Sequence, residues 1–234
     1  MATSTVKISI GVIGGSGHEG GGLALRWAAA GHDVIIGSRD ADKAQQAAQT
    51  FNALLGARGA LRGGSNMEAA AQDIVVLAVP FAAQQATALA LREQLAGKIL
   101  IDVTVPLVPP KVSRVQLPTA GSAVAALQRA LGEGVKVVSA FQNVSAAHLK
   151  DLAHDVDCDV LVCGDDIAAR ETVIGLARDA GMQGWHAGTL VNSAAAEALT
   201  SVLIFMNKQY SGHTGIRITG AGKGGNVAAP SKAA

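Results

Sequence analysis

The run Val12-Ile13-Gly14-Gly15-Ser16-Gly17-His18-Glu19-Gly20 holds a G-x-G-x-x-G pattern at Gly15, Gly17 and Gly20. It lies between a strand-like segment, Lys7 to Ile13, and a helical one, Leu23 to Ala30. In that context it is a site for the pyrophosphate of a dinucleotide. One glycine is needed for a tight turn, a second for close backbone approach to the phosphates, and a third for helix–strand packing. The helix that follows presents unpaired N–H groups and a positive dipole end to the anion. Ser16, His18 and Glu19 sit inside the loop and belong to the same candidate site.

A second chemical signal comes at the end of the next apolar run, Asp33 to Gly37, which stops at Ser38-Arg39. A carboxylate there would bind ribose hydroxyls and repel a 2′-phosphate, whereas a hydroxyl and a guanidinium receive one, so the cofactor read from this corner is NADP(H). A hydrogen bond to a charged group is worth roughly 1.5–3 kcal/mol, enough for about a ten- to hundredfold preference from Arg39 alone. Lys43, four residues on, is placed to reach the same phosphate.

These residues need a frame. Strand-like runs recur at Lys7–Ile13, Asp33–Gly37, Ile74–Val79, Ile99–Val103, Val135–Ala140 and Val160–Cys163, with helical segments between them. The alternation predicts an α/β fold of the Rossmann type, a doubly wound, mostly parallel sheet. Ligands in such sheets bind beyond the carboxyl ends of the strands, which assigns Val79, Pro80, Thr104 and Val105 to the nicotinamide half of the site. Asp40 and the box Ser65-Asn66-Met67-Glu68 read as helix N-caps. The pattern divides the chain into a dinucleotide-binding domain over 1–140, a smaller C-terminal α/β domain over 141–219 and a Gly/Ala/Lys-rich disordered tail over 220–234. A long apolar helix is expected from about Asn192 to Lys208.

With 234 residues, 49% of them hydrophobic, the chain can bury a sizeable core. A net charge of +1 and scarce aromatic residues argue against nucleic acid as a partner. No apolar stretch reads as reaching the roughly eighteen residues of a membrane span, and Met1 to Val6 lacks the regions of a signal peptide, so a cytoplasmic location is expected. Cys158 and Cys163 lie five positions apart on opposite faces of an extended segment, outside C-x-x-C spacing, and read as buried free thiols. No metal site is expected. His18 reads as a surface loop residue and His32 as structural, while His148, His154, His186 and His213 show no matched partners.

The glycine loop, Gly37-Ser38-Arg39, Val162-Cys163-Gly164-Asp165-Asp166 and Leu190-Val191-Asn192-Ser193 together resemble the NADPH-dependent reductases of the deazaflavin coenzyme F420, over most of residues 7 to 218. The resemblance implies a small, homodimeric oxidoreductase that passes a hydride between nicotinamide C4 and deazaflavin C5. It places the NADP(H) phosphates at Ser16, Ser38, Arg39 and Lys43, and coenzyme F420 is then the co-substrate. Gln142, Asn143 and Val144, after the strand Val135–Ala140, complete the expected site. The family commonly has a histidine and then a proline where this chain has Gln142 and Ser145, and Gln142 can donate hydrogen bonds but carries no ionisable proton. No residue is expected to act as a catalytic acid, base or nucleophile, because hydride transfer between stacked rings works by positioning, worth roughly 7–11 kcal/mol at best. A flavin or another small acceptor, or an NADP(H) sensor without turnover, is the alternative.

Overall fold

The computed structural model describes residues 7–220. The expected disordered tail therefore falls, from 221 on, outside the described residues. The six expected strands form as β1 (Ser9–Ile13), β2 (Asp33–Ser38), β4 (Ile74–Leu77), β5 (Ile99–Asp102), β6 (Lys136–Ser139) and β7 (Val160–Gly164). Two more, β3 (Leu61–Ser65) and β8 (Gly184–His186), complete one eight-stranded sheet in the order β3-β2-β1-β4-β5-β6-β7-β8. The reversal between β1 and β4 is the switch point at which an open α/β sheet binds its ligand.

The first six strands run parallel; β7 joins β6 antiparallel and β8 follows β7 in parallel. Strand direction therefore reverses between β6 and β7, shortly after residue 140. Side chains alternate across each strand, and both faces are apolar. Ile10, Val12, Val34 and Ile36 pack with Leu23, Trp27 and Phe51 on one face, while Ile13, Ile35, Val75, Leu77 and Leu100 pack on the other.

Helices α1 (His18–Ala29) and α2 (Ala41–Leu55) cover the first face. Asp40 caps α2 by accepting from Lys43 N, and Ser65 with Glu68 forms the expected box at α3 (Asn66–Ala70). Further on come α4 (Phe81–Ala90), α5 (Arg92–Leu95), α6 (Ala123–Leu131), α7 (Ile167–Asp179) and α8 (Ser193–Tyr210). The carboxylate of Glu197 on α8, 1% exposed, accepts from Ala123 N, Val124 N and Ser122 Oγ at the start of α6, so α8 is bolted to the fold through a helix N-terminus. The expectation that no segment reaches the length of a membrane span is corrected here. Leu190–Tyr210 has a span's length and a mean hydropathy of 1.3. Leu190, Ala196 and Leu203 are buried against the domain, whereas Val191, Val202, Phe205 and Tyr210 are exposed.

Candidate functional site

Four elements converge at the carboxyl edge of the sheet: the β1–α1 loop, the ends of β4 and β5, and the turn after β6. The tight turn of the glycine loop falls on Gly14, at φ +80°, one residue ahead of the glycines in the pattern. Gly15 and Gly20 serve packing. A Cβ on Gly15 would lie 2.6 Å from Ile36 Cβ, and one on Gly20 would lie 2.8 Å from Ala78 Cβ. No side chain caps α1 at Gly17, so its first N–H groups remain for a ligand.

Two cavities meet over this loop and share Gly17, Ala78, Val79 and Pro80 as walls. The smaller, about 280 Å³, also takes in Ser16, Ser38, Arg39 and Asn66. The larger, about 730 Å³, is lined by His18, Glu19, Gly20, Thr104, Val105, Gln142, Asn143 and Val144. Fourteen of the sixteen expected site residues therefore converge on one continuous cleft. Gly15 packs beneath it. Lys43 is not among the residues lining it; its well-exposed ammonium lies 3.6 Å from the Asp40 carboxylate. Residues that sequence reasoning missed include Asn66 at the phosphate corner and Leu107, Thr200 and Leu203 in the larger cavity. Asn66 reads in the sequence only as a member of the Ser65–Glu68 capping box, and the others lie on a loop and on α8 with no motif of their own.

Phe141 sets the far wall. Its φ of 73° lies in the left-handed region, which costs a side-chain-bearing residue roughly 1–2 kcal/mol. Full burial edge-on to Trp27, with ring centroids 5.9 Å apart, holds it there. The turn places Gln142 Nε2 2.7 Å from the Asp102 carbonyl, to which it donates, and Asn143 Nδ2 2.7 Å from the Asp159 carbonyl. With both amide nitrogens so engaged, Gln142 Oε1 and Asn143 Oδ1 are left as buried acceptors without partners. They suit a ligand that brings N–H donors, such as a carboxamide or a ring imide.

Two carboxyl groups lie close together here, Glu19 in the lining of the larger cavity and Asp102 buried on β5. Asp102, fully buried, accepts from Thr104 N at 2.9 Å and from Gln84, and burial lifts it to about 6. Glu19 is only half-buried as a residue, but its Oε1 is sealed without a partner; burial first, then the Asp102 charge, lift it from 4.5 to about 8. The native state therefore binds this proton more tightly than the unfolded chain does. The resulting stability is complete below about pH 4.5 and is lost as pH rises to about 8. Glu19→Gln, which cannot ionise, is expected to be spared that decline, as denaturant unfolding from pH 4 to 9 would show; parallel curves for the two proteins would contradict it.

His32 is structural, with Nε2 3.1 Å from Asp179 Oδ2. The histidines expected to lack partners are not isolated. His148 stacks on His154 at 4.2 Å and meets His213 edge-on at 4.5 Å, and Arg170 donates to His186. His154 is a near neighbour of His148 in the chain, whereas folding brings His213 to it from beyond α8. Both cysteines are free and buried, and burial raises both thiols.

The family model "NADP oxidoreductase coenzyme F420-dependent" matches residues 9–106. The chain is 42% identical over 221 residues to the F420-dependent NADP reductase of Methanocaldococcus jannaschii, covering 91% of this chain and 98% of that one. It is 41% identical over 220 residues to the enzyme of the same name from Methanothermobacter thermautotrophicus, covering 91% and 95%. Among solved structures, a protein of Arthrobacter sp. FB24 provisionally described as an F420-dependent NADP reductase superposes with a TM-score of 0.71 at 28% identity, covering 89% of this chain and 96% of that one.

Proposed function

Because the chain belongs to the coenzyme F420-dependent NADP oxidoreductase family, we infer that its two joined cavities seat NADP(H) and the deazaflavin side by side. The protein is an oxidoreductase that moves a hydride between NADP(H) and coenzyme F420. Near-complete coverage of the F420-dependent NADP reductases carries this conclusion. The continuous cleft, with its uncapped helix and unpartnered acceptors, fits both molecules.

We assign the phosphates to the backbone of Gly15 to Gly20 with Ser16, and the 2′-phosphate to Ser38 and Arg39, with Lys43 adding charge from outside. Val79, Pro80, Thr104 and Val105 flank the nicotinamide, while Gln142, Asn143 and Val144 face the second ring. The bound pair supplies the redox chemistry, a hydride passing between two ring carbons. The residues of the cleft fix the distance between those carbons and keep water out, and in hydride transfer that positioning is most of the catalysis. In this reading 1–140 carries the dinucleotide and 141–219 supplies the co-substrate wall.

A homodimer through α8 is proposed on the exposed Val202, Phe205 and Tyr210, and a cytoplasmic location on two cysteines kept as thiols. The purified protein mixed with NADPH and F420 is expected to lose both absorbances together and to work poorly with NADH. Turnover with a flavin but not F420 would overturn the assignment of the acceptor, and inertness toward every planar acceptor would favour a dinucleotide sensor.

A further inference from the structure

Reduction of a deazaflavin needs more than a hydride. The nicotinamide C4–H bond breaks and a ring C–H bond forms, leaving an electron pair on a conjugated ring nitrogen; an N–H bond must form there from a proton. The balance is NADPH plus oxidised ring plus one proton, giving NADP⁺ and the reduced ring. Resting on the hydride-transfer reading above, we propose that Glu19 is the proton donor of this site, its O–H breaking as the ring N–H forms.

The geometry leaves few other sources. Among the described residues lining the larger cavity, only His18 and Glu19 carry an ionisable side chain. His18 is exposed at the first position of α1, whereas the Glu19 carboxyl has a sealed oxygen with no hydrogen-bond partner. No ion pair to Glu19 forms among the described residues; the charged groups that face it are anionic, Asp102 from β5 with Glu197 beyond it. An acid without a cation, backed by a buried carboxylate, keeps its proton. Asp102 accepts from Thr104 N and from Gln84, bonds that favour its charged form, whereas the Glu19 Oε1 accepts none, so the first is the fixed negative charge and the second, raised by burial, is the acid. Gln142, which lines the same cavity and donates to the Asp102 carbonyl, orients the ring but has no proton to give. After transfer the Glu19 carboxylate recovers a proton from water at the open end of the cleft; in the reverse direction it accepts one from the reduced ring.

Two measurements test this. Infrared spectra of the protein alone, with and without Glu19→Gln, are expected to show a protonated-carboxyl band at pH 7 that titrates near pH 8 and vanishes in the variant. Single-turnover oxidation of NADPH by F420 is expected to slow about tenfold per pH unit above pH 8 in the wild type. In Glu19→Gln it is expected to be roughly a hundredfold slower with that limb abolished. His18→Gln is expected to keep the alkaline limb whatever its rate. An unchanged limb in Glu19→Gln, its loss in His18→Gln, or the absence of the infrared band would overturn the proposal alone. Failure of the wild type to oxidise NADPH with F420 would overturn the hydride-transfer reading and the proposal with it.

Discussion

Replacing Arg26 by Met is expected to lower the unfolding free energy by about 3–5 kcal/mol and to weaken the co-substrate more than NADPH. Arg26 leaves the buried side of α1 and is 8% exposed. Its Nε donates to the Leu149 carbonyl at 2.9 Å, Nη1 to Ala180 at 3.3 Å, and Nη2 to His148, Asp151 and His154 at 3.2, 2.9 and 2.9 Å. One guanidinium thus ties the segment after the far wall to the helix that holds the phosphates. Methionine keeps the stem but leaves buried carbonyls without donors. The chain from Ser145 to Asp155 then loses its anchor, although Leu149 still sits against Gly22. Lysine should recover only part of the loss, because a point charge cannot span three directions. Urea unfolding with KM for F420 measures both effects; a loss below about 1 kcal/mol would show that the staple is dispensable.

Arg39→Ala is expected to weaken NADPH binding about ten- to hundredfold and NADH binding by less than about threefold. Arg39 is exposed at the mouth of the smaller cavity beside Ser38, whose hydroxyl accepts from Asp40 N and is thereby fixed at the corner. The guanidinium makes no ion pair among the described residues, so it is available to a phosphate. Lys43→Ala should cost less than Arg39→Ala, since its charge is shared with Asp40 and screened by solvent. Titration of both dinucleotides at fixed ionic strength tests this, and equal losses for the two would remove the 2′-phosphate from Arg39.

What the sequence by itself determined is local. The glycine loop, the Ser38-Arg39 corner, the Asp40 cap and the Ser65–Glu68 box are each set within a few residues by turn, dipole and capping chemistry, and six strands were legible as continuous apolar runs. Strand β3 was not, because Leu-Arg-Gly-Gly-Ser has no β-branched run. It is a strand because β2 offers a ladder and α2 lies so close that a Cβ on Gly63 would meet the Ala44 carbonyl at 2.3 Å. Tertiary structure alone decided the rest. Arg26 and its acceptors are more than 120 positions apart, and the His213 ring, beyond α8, meets that of His148 only in the folded chain. Glu19 in the sequence is an ordinary carboxylate of a loop. Its proton is held by desolvation and by the charge of Asp102, and both depend on what folding packs around it.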